Sequence, residues 1–159
     1  MDLKKLKTDK KKTNDGIWCQ IDGEYDYEVV LDVEEAKKKL IAADKKGELD
    51  KSDYFFIRVA RVGSAKYKQF RNNISKGKLK KLRKGKLSLS EEERIGLRAT
   101  AHGVLVDWDW IFDEGKPVSY TSELAFELIG DQDLLTVVAE ITEERENYMN
   151  EVHADSVKN

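Results

Sequence analysis

The chain has 159 residues, 40% hydrophobic and 38% charged, with one proline, one cysteine and a formal net charge of −2. That length and apolar share fit one domain around one core, and a charge content well above the ordinary value of about a quarter points to a soluble, helix-rich protein with solvated faces. No apolar run approaches the ~20 residues that cross a bilayer, no secretory leader follows the lysine-rich start, and the lone Cys19 has no partner for an internal disulfide. A cytoplasmic protein without a membrane contact is expected.

The near-neutral total hides a polarity: residues 1–86 carry about +10 and residues 87–159 about −12. The ordinary reading is attraction between the halves, within one fold or between copies as self-association. The sharper one gives each half its own partner.

Met1 to Thr13 is mostly lysine and is expected to be a mobile arm. Asn14-Asp15-Gly16 reads as a turn into a short strand, Ile17-Trp18-Cys19-Gln20-Ile21, and Asp22-Gly23 as the next turn. From Tyr25 to Val33, Tyr25, Tyr27, Val29, Leu31 and Val33 alternate with Asp26, Glu28 and Asp32, the period of a half-buried antiparallel strand, with Val30 on the outer face. Asp32 or Glu34 can start a helix through Ala36, Leu40 and Ala43 that ends near Gly47, its Lys37-Lys38-Lys39 run being solvated surface. Tyr54 to Val62 is the next strand, with Phe55, Ile57 and Val59 on one face and Phe56, Arg58 and Ala60 on the other.

Ser64 can cap a helix carrying Tyr67, Phe70 and Ile74. The basic tract that follows holds Lys76, Lys78, Lys80, Lys81, Arg83, Lys84 and Lys86, anchored only by Leu79 and Leu82 and interrupted by Gly77 and Gly85. It is the one candidate nucleic-acid patch in the chain. Against that reading, it lacks aromatic residues for base stacking, and the acidic second half repels phosphate.

Ser90 followed by Glu91, Glu92 and Glu93 makes a capping box. The helix it opens places Ile95, Arg98, Ala99, His102, Leu105 and Val106 on one face and Leu97, Ala101, Val104 and Trp108 on the next, as a central helix packed on more than one side. His102 reads as a satisfied boundary histidine. The helix runs into Trp108-Asp109-Trp110-Ile111, then Asp113-Glu114-Gly115-Lys116-Pro117, where Gly115 supplies a positive φ and Pro117 stops helical continuation, leaving Val118-Ser119-Tyr120 extended. Thr121 or Ser122 caps a short helix with Leu124, Ala125, Leu128 and Ile129, closed by Gly130. Asp131 caps the last, with Leu134, Leu135, Val138, Ile141, Arg145, Tyr148, Met149 and Val152 in one stripe and Glu140, Glu143, Glu144, Glu146 and Glu151 outside it.

The expected fold is α+β: a small antiparallel N-terminal β-meander of about three strands packed against a helical C-terminal half of about four helices. The domain plan is an arm over 1–13, one domain over 14–152 (β-rich 14–62, helical 64–152, basic linker 76–89) and a frayed tail over 153–159.

Catalytic signatures are missing: there is no nucleophile elbow, no phosphate-binding glycine loop and no Cys or His pair at metal-ligand spacing. Asp107, Asp109 and Asp113 suggest calcium, but Ile111 sits where an oxygen ligand belongs and the glycine is misplaced for an EF-hand loop. No catalytic residue, metal or cofactor is expected, and the protein reads as a non-enzyme.

Val104-Leu105-Val106-Asp107-Trp108, the Asp-Glu-Gly-Lys-Pro turn at 113–117, and Tyr120-Thr121 opening a helix that ends Leu128-Ile129 together resemble tail assembly chaperones of long-tailed bacteriophages. Gly16-Ile17-Trp18, Phe56-Ile57-Arg58-Val59-Ala60-Arg61 with Lys66-Tyr67, and Asn147-Tyr148 are similar to further segments of that family, so that the likeness spans residues 14–159. Glu114 and the very basic Lys76–Lys86 tract depart from its pattern.

The resemblance implies a protein of the host cytoplasm, absent from the mature virion. Such a protein binds the tape measure protein, keeps its apolar helices soluble and helps recruit major tail (tube) protein subunits. Many members of that family are also made as a longer frameshifted form, and codons for Val157-Lys158-Asn159 could contain a slippery A AAA AAC heptamer. The expected partner surface is Trp108, Trp110, Ile111, Phe112, Leu135, Val138 and Tyr148, with a core role for Trp108 as the competing reading. The alternative is a small nucleic-acid-binding protein acting through Lys76–Lys86.

Overall fold

A computed structural model describes residues 7–44, 47, 53–69 and 89–149. The expected Lys76–Lys86 patch, Phe70, Ile74, Val152 and the 153–159 tail lie outside the described residues. The fold is α+β, as expected. In chain order it comprises α1 (Lys10–Asp15), β1 (Ile17–Ile21), β2 (Tyr27–Val30), α2 (Val33–Ala43), β3 (Phe55–Val59), α3 (Leu89–Gly103), β4 (Leu105–Asp109), β5 (Phe112–Asp113), β6 (Lys116–Pro117), α4 (Ser122–Leu128), α5 (Gln132–Glu143) and a 3-10 turn at Arg145–Tyr148. Residues 65–69 are also helical, capped by Ser64, whose Oγ accepts the Tyr67 N–H.

The main sheet has four antiparallel-paired strands in the order β2-β1-β3-β4. It is not a simple meander, because β1 lies between β2 and β3, which run parallel to each other and are joined through α2. The register separates two faces. Val29-Cys19-Ile57-Trp108 form a row on one face, with Tyr27-Ile21-Phe55 and Ile17-Val59-Leu105 beside it. Those side chains belong to the core that also takes in Ala125, Ile129, Leu134, Val137, Val138, Ile141 and Tyr148 from the C-terminal elements. The opposite face carries the rows Val30-Trp18-Arg58-Asp107 and Glu28-Gln20-Phe56-Asp109.

The fourth strand is the main departure from expectation. Val104 to Trp108 continues the helical phase of the preceding segment, yet α3 ends at Gly103 and Leu105–Asp109 pairs with β3. Two local causes favour this. Leu-Val-Asp-Trp-Asp is rich in β-formers, and a Cβ on Gly103 would come within 2.6 Å of Tyr67 Cα, so the backbones meet there and only glycine fits. Val106 is the extra residue of an irregularity where β3 steps from Arg58 to Val59.

The second strand is shorter than its alternation suggests. Tyr25 has φ 63° within the turn that the Asp22 carboxylate closes by accepting the Glu24 and Asp26 N–H groups. Leu31 lies past the strand end at 78% exposure, and Val33 is the first residue of α2, capped by Asp32. Helix α2 also ends at Ala43, short of Gly47.

The lysine-rich start is no arm beyond residue 8. Asp9 caps α1, accepting the Lys11 and Lys12 N–H groups, and its own N–H donates to the Tyr148 carbonyl at 2.7 Å. Lys12 Nζ donates to the Met149 carbonyl and Arg61 N–H to the Thr13 carbonyl, tying α1 to the C-terminal turn and the end of β3. Gly16, at φ 90°, closes α1, so Asn14 and Asp15 are helical rather than a free turn. Helix α3 begins at Leu89, which puts Ser90 inside its first turn rather than before it. Thr121 and Asp131 cap α4 and α5 as their sequences suggest. The last helix breaks at Glu144 into the 3-10 turn, which leaves Arg145 exposed but buries Tyr148.

Candidate functional site, the β4 corner

The sequence from Leu105 to Tyr120 folds into a strand, a sharp corner and a two-stranded hairpin. At its base Trp108 is 5% exposed, its Nε1–H donating to the Val118 carbonyl at 2.8 Å and its ring meeting Tyr120 edge-on at 4.9 Å. The Tyr120 hydroxyl is 2.7 Å from the Leu105 carbonyl and 3.0 Å from that of Ala101, so its proton is shared between the end of α3 and β4. Burial, with the charges of Asp107 and Glu123 behind it, pushes the Tyr120 hydroxyl up to about 12. The extended 118–120 segment is thereby pinned against the sheet, and a shallow cleft of about 480 Å³ lies beside it.

The corner turns at Trp110, which takes φ 59°, an unusual left-handed conformation for a bulky side chain. The Asp109 carboxylate accepts the Trp110 N–H at 2.8 Å, and the ring packs edge-on against buried Phe56 at 5.6 Å. Lys37 Nζ from α2 stands 5.5 Å from the Trp110 ring centroid, 2.6 Å from Asp109 Oδ2 and 3.1 Å from Glu34 Oε1. Burial works to lower the Lys37 ammonium, but the hydrogen bonds and charges of Asp109 and Glu34 outweigh it and hold its pKa above the ordinary lysine value. Lys37 is therefore a structural cation with 14% of its side chain exposed, not the solvated lysine its sequence run suggests.

Beyond the corner, Glu114 (φ 49°) and Gly115 (φ 79°) make the tight turn between β5 and β6. Two successive positive φ values match the twist that a two-residue hairpin needs. Phe112 sits opposite Pro117 in that ribbon, and the Val118 N–H donates to the Ile111 carbonyl.

The expected partner residues divide accordingly. Trp110, Ile111 and Phe112 come together at the corner, each half-buried, and Leu135 is half-buried on α5. Trp108 takes its core reading, and Val138 (1% exposed) and Tyr148 (0%) are also core. The Tyr148 hydroxyl donates to the Val59 carbonyl, so neither side chain belongs to an accessible surface. The three aspartates do not converge on a cation: Asp107 and Asp109 accept the N–H of the following tryptophan, Asp109 pairs with Lys37, and Asp113 is an exposed hairpin residue. His102 is half-buried, and burial lowers its pKa, with Glu123 opposing and Arg98 and Lys66 adding to the effect.

Sequence reasoning missed Lys37 and Phe56 as parts of this corner, and placed Tyr120 in it without its hydrogen bonds to the Ala101 and Leu105 carbonyls. Lys37 had a signal, since Val33, Ala36, Lys37 and Leu40 share one helical face. Phe56 had none, because it acts through a contact with Trp110 that is distant in the chain.

This is an α+β domain whose corner is built from packing and hydrogen bonds, and its family is phage-derived. Residues 62–159, more than half of the chain, match the family described as YdaY prophage protein, and the chain belongs to it. No curated protein and no solved structure matches. The matched segment contains the whole corner from β4 to α4, while α1, β1, β2, α2 and β3 precede it. Among the described residues, no helix is long and apolar enough to cross a membrane, and no three His, Cys, Asp or Glu side chains are grouped to hold a metal.

Proposed function

We propose that this prophage protein is a non-enzymatic tail assembly chaperone that binds the tape measure protein, keeps its apolar helices soluble in the host cytoplasm and helps recruit tail tube subunits. The observation that carries the reading is the corner itself, where Trp110, Ile111 and Phe112 keep part of their surface exposed at a turn braced by Lys37, Phe56 and Tyr120. Aromatic side chains held rigid before binding lose little entropy when a partner covers them, which is how a few such residues supply most of an interface's affinity. Apolar helices are a suitable partner for such a surface. Support also comes from the phage family and from the Val104–Ile129 stretch, whose likeness to tail chaperones falls inside the matched segment.

Co-expression of a tape measure protein from the same prophage with and without this chain tests the proposal. The expected outcome is a tape measure that is insoluble alone and soluble in the chain's presence. A tape measure equally insoluble in both cultures contradicts the reading, and binding of the chain to DNA or RNA that weakens steeply with salt would instead favour the Lys76–Lys86 alternative.

A further inference from the structure

The main sheet ends on one side at β4, and an edge strand offers backbone groups to which another strand can add. In an antiparallel pair, alternate residues turn their N–H and C=O toward the neighbouring strand, and the residues between them turn theirs away. The Ala60 N–H donates to the Val104 carbonyl, and the register sets Val59 opposite Leu105 and Ile57 opposite Trp108. Leu105 and Trp108 are thereby the residues of β4 whose backbone groups face the free edge. The extended 118–120 segment passes beside that edge without pairing to it. Among the described residues it makes no backbone hydrogen bond to Leu105–Asp109, and a shallow cleft is lined by residues 106–111 on one side and 117–120 on the other.

Side chains occupy the edge instead. The Asp107 carboxylate accepts the Trp108 N–H at 2.8 Å, and the Tyr120 hydroxyl, shared with Ala101, donates to the Leu105 carbonyl at 2.7 Å. One residue past the strand, the Asp109 carboxylate takes the Trp110 N–H, and the φ of 59° there turns the chain off the line of the strand. The other edge of the sheet is blunted by different means, since β2 is four residues long and is soon followed by α2.

We infer that Asp107 and Tyr120 are edge guards: by holding the outward backbone groups of β4, they keep a second copy of this chain from adding a strand there. A carboxylate suits the amide, because an ionised acceptor binds an N–H more strongly than the carbonyl of an incoming strand that has to displace it. The phenol suits the carbonyl, because its ring is already fixed against Trp108. Leu-Val-Asp-Trp-Asp is rich in β-formers, so the same edge without these partners is a template for pairing between copies. The inference stands whether or not the corner binds a tape measure protein.

The test compares Asp107→Ala with Asp107→Asn in the full chain. Both remove the charge, but asparagine keeps an oxygen that can accept the Trp108 N–H. Sedimentation equilibrium and amide hydrogen exchange at Trp108 are followed across protein concentration, with folding checked by thermal melting. Asp107→Ala is expected to self-associate at about tenfold lower concentration than the unaltered chain. Its Trp108 amide is expected to exchange fast in dilute solution and to slow as copies assemble, whereas Asp107→Asn behaves as the unaltered chain does. Tyr120→Phe frees the Leu105 carbonyl while keeping the ring, and is expected to act in the same direction. If one of these two positions yields a poorly folded variant, the other decides. Folded variants that associate no more readily than Asp107→Asn overturn the inference, and so does Trp108 exchange that already slows with concentration in the unaltered chain.

Discussion

The two tryptophans of the Asp107-Trp108-Asp109-Trp110 run show how one residue type takes two roles. Trp108 points to the helical side of the sheet and is a core anchor, whereas Trp110 sits in the corner with part of its ring in solvent. Trp108→Ala is expected to cost ~3–5 kcal/mol in urea unfolding, as large-to-small core changes do. Trp110→Asn is expected to cost less, ~1–2 kcal/mol, because asparagine tolerates the left-handed backbone, which offsets part of the loss of the edge-on contact with Phe56 and of the Lys37 contact with the ring. Equal costs for the two would contradict their assignment.

Ionisable residues give a second expectation at the same scale. His102 has a folded pKa below its unfolded value, so its contribution is present above about pH 6.5 and is lost as pH falls through the lower folded value. Lys37 and Tyr120 have raised folded values, so theirs are present below about pH 10 and are lost as pH climbs beyond it. Thermal melts across pH are expected to fall at both ends. His102→Gln should flatten the acid side and Tyr120→Phe the alkaline side, and unchanged slopes in these variants would refute the assignment.

At the scale of elements, several helix caps and the centres of strands β1, β2 and β3 were legible in the sequence, whereas the Ser90 capping box and the end of the Tyr25–Val33 alternation were not borne out. Thr121, Asp131 and Ser64 cap helices because a short oxygen-bearing side chain before an apolar stripe has a purely local effect. Helix α1 and strand β4 were not legible, because each depends on a surface distant in the chain. Lys10–Asp15 is held by carbonyls of Tyr148 and Met149, and Leu105–Asp109 by the edge of β3, which overrides the continuing helical phase. Removing the local cap should expose this dependence. Asp9→Ala is expected to cost ~1 kcal/mol and to speed tryptic cleavage at Lys10, Lys11 and Lys12, and unaltered cleavage would mean that α1 is not anchored as described. Gly103→Ala forces a Cβ into the Tyr67 backbone, so a clear fall in the melting temperature is expected, whereas a neutral outcome would mean that this contact is loose.

For the whole molecule, the sheet separates a dry face, covered by the C-terminal elements, from an outer face that keeps charged and aromatic residues within reach of solvent. Of the expected partner surface, Trp110, Ile111 and Phe112, contiguous in the chain, lie together at the corner. The sequence could not separate them from Val138 and Tyr148, because an amphipathic stripe looks the same whether it meets the protein's own core or a partner. The phage origin follows from the family, and the chaperone reading is carried by the corner.

The most direct measurement is co-purification of the tape measure protein on a tagged copy of this chain, unaltered and as Trp110→Asn, with the fold of both checked by thermal melting. The account predicts capture by the unaltered chain and a loss of about tenfold or more in a variant that still melts cooperatively, the scale of one aromatic anchor. Capture undiminished in the folded variant, or no capture by the unaltered chain, would contradict it.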